Sequence, residues 1–157
     1  MAKRDSSISF RKATLRDAPP IARLSGRCEA MPHSSAEVAR AIRDYFVAVV
    51  KGRIVGVVAV SFVGLKHAEM HSLLVDKKLK GKGIGSRLVQ LAFYEAELAD
   101  AKKIIAAGRH KDFLKKFGFR EAASGQLAEF GGSYKKGSWL VAEVPDAEKL
   151  PGLTQFY

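Results

Sequence analysis

The sequence predicts a single α/β domain with a mixed central β-sheet and flanking helices. Three observations lead there. Two runs rich in Val, Ile and Phe, Tyr45–Val50 and Arg53–Val63, flank a Lys51-Gly52 pair, which is the signal of an antiparallel hairpin. A third such run, Ala68–Val75, leads through a loop into an amphipathic helical pattern and then into another apolar run, Lys103–Ala107. That strand–loop–helix–strand order implies a parallel pair beside the hairpin. Finally, the chain has 157 residues, 47% of them apolar and 27% charged. That is enough for one domain of ordinary globular composition, burying roughly two-thirds of its unfolded surface.

The elements follow in order. Met1–Ser7 is polar and reads as a loose terminus, and Ser9–Lys12 reads as a first strand. Thr14 with Asp17 three residues on is a helix-start signal. Pro19 and Pro20 fit the first turn, where a missing N–H costs little. Ile21, Ala22 and Leu24 give that helix an apolar side. Met31–Ser35 breaks it, and Ser34 or Ser35 can cap a second helix carrying Val38, Ala41 and Ile42. Gly52 supplies the positive φ of the hairpin turn, and Gly64–His67 is a second turn. In the strand Ala68–Val75, alternation puts Glu69, His71, Leu73 and Val75 on one face. Asp76–Lys80 is a polar loop. From Gly83 to Ala101, Ile84, Leu88, Leu91 and Leu98 recur at helical spacing. After the strand Lys103–Ala107, a short helix His110–Phe117 is stopped by Gly118. Phe119–Ala122 and Ser138–Val144 are the last strands.

Composition excludes several functions. The longest apolar runs are too short for a bilayer, which needs ~20 residues, so no membrane partner is expected. One cysteine, Cys28, rules out an intramolecular disulfide framework and any site needing two thiolates. It reads as a buried, inert thiol, and a reducing cytoplasmic location is expected. The four histidines have no metal-ligand spacing, so no metal is expected. The net charge is +11, and +8 of it falls between Lys77 and Arg120. Such an excess points to an anionic partner. Nucleic acid ranks last among these, because no recognised motif or aromatic platform accompanies the charge.

The sharpest feature is Lys80-Gly81-Lys82-Gly83-Ile84-Gly85-Ser86, set between a strand and an amphipathic helix. Glycines let a backbone approach a ligand closely. The helix N-terminus adds partial positive charge and amide donors, and two lysines add full charges. The arrangement suits a diphosphate. It is not a P-loop, having no Gly-x4-Gly-Lys-Ser/Thr, and it lacks the G-x-G-x-x-G dinucleotide spacing.

Leu73-Leu74-Val75-Asp76 followed by Gly81-Lys82-Gly83-Ile84-Gly85 resembles the acetyl-CoA-binding segment of GCN5-related N-acetyltransferases (GNAT). Lys80 stands where that family's Gln/Arg-x-x-Gly-x-Gly/Ala signature has Gln or Arg. Phe113–Phe119 resembles the family's later Phe-Tyr-x-x-x-Gly-Phe segment, with Leu114 in place of its tyrosine. Within the family the chain is most similar to the acetyltransferase domain of N-acetylglutamate synthases. Three stretches carry that likeness: Pro32-His33-Ser34, Ala68–Val75 and Tyr134-Lys135-Lys136. His71 stands where those relatives often have arginine. The resemblance implies an acyl-CoA N-acyltransferase fold and an N-acetyltransferase using acetyl-CoA as cosubstrate. The acceptor would be a small amine or an amino acid such as glutamate. A protein or polyamine acceptor, a non-catalytic acyl-CoA sensor and a homodimer stay open.

The chemistry sets the remaining expectations. An attacking amine must be neutral, yet a free amine is mostly protonated at pH 7. A proton acceptor is needed, and Glu69 is the first candidate, with His71 the second. Leu73, Leu74 and Val75 would pair their backbone with the pantetheine arm, the Leu73 amide serving as oxyanion donor. Lys80 to Ser86 would hold the diphosphate. Arg109 would bind an acceptor carboxylate, since its fork matches two oxygens.

Overall fold

The structure, a computed structural model, describes residues 7–29, 32–64, 66–123, 125–130 and 138–146. Strand β1 (Ser9–Lys12) leads into helix α1 (Ala18–Cys28) and then α2 (Ser35–Arg40). Strands β2 (Tyr45–Val50), β3 (Arg53–Val63) and β4 (His67–Val75) come next, then helix α3 (Ile84–Leu98). Strand β5 (Lys103–Ala107), helix α4 (Lys111–Lys115), β6 (Arg120–Glu121) and β7 (Trp139–Glu143) complete the order. The seven strands form one mixed sheet in the order β1-β2-β3-β4-β5-β7-β6. β4 and β5 are parallel, while the β1–β2, β2–β3, β5–β7 and β6–β7 pairs are antiparallel. This is the predicted class and the predicted succession of helices and strands.

The chain gathers into two compact units, and β3, β4 and α3 each contribute to both. The first holds the described residues up to Ala59 together with Ser72–Leu88. Its hairpin closes at Lys51 and Gly52, with φ of +48° and +75°, as a primed turn requires. Tyr45, Val47, Val57 and Ala59 pack with Ile21, Leu24, Val38 and Leu74 into a core beneath α1 and α2. Phe46, Ala48 and Val58 are buried as well, so both faces of this part of the sheet are covered. α2 stops one residue before Ala41, and Ala41 and Ile42 reach the same core from outside the helix. Cys28 is half-buried against it, more open than the sequence suggested.

Asp17 fastens the start of α1. It is 6% exposed and accepts from the Thr14 N–H at 2.7 Å and from Arg11 Nη1 and Nη2 at 2.7 and 3.0 Å. The Arg11 hydrogen bonds hold its carboxyl below the usual range against the opposing effect of burial. A depressed native pKa adds stability that is complete above the unfolded carboxylate range and is lost as pH falls through the native value. Asp17→Asn should therefore cost about 1–3 kcal/mol at neutral pH. The gap in melting temperature between the variant and the parent should narrow as pH drops below about 4. A gap independent of pH would remove the ionised carboxylate from the account.

The second unit holds Val60–His71 and the described residues from Val89 onward. β5 contributes Ile104, Ile105 and Ala106, all buried, and Ile105 packs with Phe130 and Val141. α3 ends at Leu98, three residues before the predicted end. Asp100 takes φ +61°, and the Ala101 N–H donates back to the Ala96 carbonyl at 2.9 Å, which closes the helix. Leu98 sits on that last turn and is 60% exposed, so it is not a core residue as its spacing predicted. Gly118, at φ +89°, ends the α4 region as expected.

Candidate functional site

The glycine loop lies in the first unit, between the end of β4 and the start of α3. At the end of β4 the Asp76 N–H donates to the Val55 carbonyl at 2.8 Å. Val55 is the residue skipped where the β2–β3 register shifts, so the bulge in β3 supplies this acceptor. The Asp76 carboxylate then accepts from the Lys78 N–H at 3.0 Å and caps a 3-10 turn over Lys77–Leu79. Lys80 is extended, and Gly81 and Gly83 take φ of +81° and +80°, a region L-residues rarely adopt.

A Cβ built on Gly81 or Gly83 would meet nothing within 4 Å. The chain thus folds an open shelf here, with Lys80 and Lys82 exposed beside it. The first helical bond of α3 runs from the Arg87 N–H to the Gly83 carbonyl at 3.1 Å. The amides of Ile84, Gly85 and Ser86 precede it and have no helical carbonyl four residues back. Positive φ, open space, helix-start amides and two lysines fit a diphosphate.

Gly56 is a residue that sequence reasoning missed. A Cβ there would stand 3.0 Å from Ile84 Cγ2 and 3.1 Å from Leu88 Cδ1. Its hydrogen lets the first turns of α3 lie directly on β3, which fixes where the helix start points. The available signal was a lone glycine inside an apolar strand, which marks a close approach.

β4 carries the other candidates. Its parallel pairing with β5 runs from His67 opposite Lys103 to Met70 opposite Ala106. Leu73, Leu74 and Val75 lie beyond that register; Leu74 is buried, and Leu73 and Val75 are half-buried. Between the two segments Ser72 has φ +53°, so the backbone turns locally in mid-strand. The predicted alternation holds on each side: Ala68 and Met70 are buried while Glu69 and His71 are half-buried. Glu69 pairs with Ile105 in the register, and its Oε2 accepts from the Ser61 hydroxyl at 3.4 Å.

Arg109 belongs to the second unit, with Glu69 and His71. It is exposed, on a 3-10 turn over Gly108–His110 directly after β5. That is the C-terminal side of a parallel strand, where α/β sheets open their binding crevices. The Gly108 N–H donates to the Ser138 carbonyl at 2.9 Å, and a Cβ on Gly108 would stand 2.7 Å from the Ser138 Oγ. Gly108 thereby ties this turn to the approach of β7. Leu114 is 2% exposed and brings no proton donor to α4.

Residues 15–119 match the Acetyltransferase (GNAT) family. The chain belongs to that family. This acetyltransferase is 34% identical to an uncharacterized N-acetyltransferase of Chlorobaculum tepidum over 117 residues, 71% of this chain and 74% of that protein. Solved structures share the fold, among them two complexes with coenzyme A. One is a Mycobacterium tuberculosis protein in complex with CoA, with a TM-score of 0.75 and 18% identity over 87% of this chain and 99% of that one. The other is N-acetylglutamate synthase from Neisseria gonorrhoeae, complexed with coenzyme A and N-acetyl-glutamate. Its TM-score is 0.74 at 18% identity, over 90% of this chain and 36% of that longer one.

The GNAT match makes this chain an acetyl-CoA-dependent N-acetyltransferase and accounts for its mixed sheet. Among the described residues of this acetyltransferase, no three His, Cys, Asp or Glu side chains group to hold a metal, and no helix is long and apolar enough to cross a membrane. Tyr134, Lys135 and Lys136, and the terminus up to residue 6, lie outside the described residues.

Proposed function

We propose that this acetyltransferase acetylates the primary amine of a small molecule, with the α-amine of an amino acid such as glutamate as its acceptor. The carrying observation is the glycine shelf leading from β4 into the start of α3, which suits the diphosphate of acetyl-CoA. Lys80, Gly81, Lys82, Gly83, Ile84, Gly85 and Ser86 hold that group, the amides directing it and the lysines matching its charge. Acetyl-CoA supplies the activated acetyl group as a thioester.

Leu73, Leu74 and Val75 align the pantetheine arm through their backbone. The Leu73 N–H stabilises the negative charge that develops on the thioester oxygen. Glu69 takes the proton from the attacking amine, directly or through a water, and His71 is the second acceptor on that segment. The new bond is C–N, the broken one is C–S, and the CoA thiolate leaves to take up a proton. The acetyl group passes directly from thioester to amine, because no residue among those described is arranged as a covalent carrier. A reducing cytoplasm, where Cys28 stays a thiol, suits this reading.

Arg109 binds the acceptor carboxylate. The test is thiol release from acetyl-CoA across the amino acids and simple polyamines, with wild type and Arg109→Ala. A charged hydrogen bond is worth about 1.5–3 kcal/mol, so KM for glutamate should rise roughly tenfold to a hundredfold. KM for an uncharged alkylamine should hardly move. Arg109→Lys should rescue only part, since lysine offers one point charge in place of a fork. Equal loss for both acceptors would assign Arg109 to the fold or the cosubstrate. Turnover of polyamines or a protein amine alone would replace the amino-acid acceptor.

A further inference from the structure

We propose that Tyr45 is a positioning residue for the acyl transfer: its buried hydroxyl holds Ser72 in the left-handed conformation that sets the direction of the Leu73 N–H. The proposal rests on the reading above, in which that N–H faces the thioester oxygen. Three described residues other than glycine have positive φ: Lys51, Ser72 and Asp100. Lys51 is in a hairpin turn and Asp100 closes a helix, where such conformations belong. Ser72 is in the middle of a strand, where φ +53° departs from the extended backbone on either side. An L-residue stays in that region only when its surroundings impose it.

Tyr45 supplies such a surrounding. It opens β2, is 3% exposed, and shares the core beneath α1 and α2 with Leu74. Its hydroxyl shares a hydrogen bond with the Ser72 side chain. A buried phenol needs a partner, so breaking this bond is costly on the Tyr45 side too. Burial and the nearby Glu29, Asp44 and Glu37 carboxylates push the phenol pKa up, so it remains a neutral hydroxyl. Ser72 is thus held through its side chain, and Leu74, two residues on, is anchored in the same core. The peptide between Ser72 and Leu73, which carries the Leu73 N–H, is fixed from both sides.

The test compares wild type, Tyr45→Phe, Ser72→Ala, Ser72→Gly and the double variant Tyr45→Phe/Ser72→Gly. Thiol release from acetyl-CoA with the best acceptor of the amino-acid and polyamine series gives kcat, and calorimetry gives acetyl-CoA affinity. A misdirected oxyanion donor acts mainly in the transition state. Tyr45→Phe should lower kcat about tenfold with acetyl-CoA affinity little changed. Ser72→Ala, which removes the same bond from the other side, should do likewise. Glycine takes positive φ without support, so Ser72→Gly should keep activity and the double variant should recover most of the loss. Wild-type kcat in Tyr45→Phe and Ser72→Ala would overturn the proposal. So would a loss that Ser72→Gly does not repair, since that marks a packing role. A wild type that fails to bind acetyl-CoA would instead overturn the underlying reading of the loop.

Discussion

Gly83→Asp and Gly85→Asp should each abolish the rise in melting temperature that acetyl-CoA gives the wild type. A ligand bound only by the folded state at about 100 times its Kd stabilises by about 2.7 kcal/mol. For a chain of this size that is several degrees. The shelf above Gly83 is open now, with nothing within 4 Å of a built Cβ. A carboxylate placed there would fill the space and repel the diphosphate. Asp is also favourable near a helix N-terminus, because it offsets the positive end of the dipole. Neither variant should therefore melt α3, and the loss should be one of binding with the unliganded melting temperature within a few degrees of wild type. Gly83 carries the greater backbone cost, being at φ +80°. Wild-type affinity in either variant would remove the diphosphate from this loop.

Glu69→Gln should lower kcat by roughly 10²–10⁴, the usual worth of a positioned general base, with acetyl-CoA affinity unchanged. The substitution keeps size and keeps an acceptor for the Ser61 hydroxyl, so the strand should not shift. His71→Ala is the comparison, and its effect should be smaller. The reverse order would make His71 the base. No effect in either would mean that the amine arrives neutral or loses its proton to water.

The fold was largely legible because its signals are local. Lys51-Gly52 between two apolar runs dictates a hairpin, and Thr14 with Asp17 dictates a helix start, whatever the rest of the chain does. The glycine loop was legible for the same reason, since glycine spacing and a following helical period are both written in a dozen residues. What stayed hidden depends on distant residues. Gly56 matters because Ile84 and Leu88 come down on it. Ser72 turns left-handed beside a tyrosine twenty-seven positions earlier in the chain, and no strand pattern announces that. Leu98 had the right period but fell on the turn where Asp100 ends the helix. Arg109 was placed correctly after β5, because strand ends are local too.

As a member of its family, this chain moves the acetyl group of acetyl-CoA onto an amine. The most direct measurement is thiol release by wild type with acetyl-CoA and single amines, with the acceptor product weighed by mass spectrometry. Thiol release should require the amine, an N-acetylated amino acid should be the product, and Gly83→Asp should lose both. Acetyl-CoA binding without amine-dependent thiol release from any amino acid, polyamine or peptide would contradict this transfer.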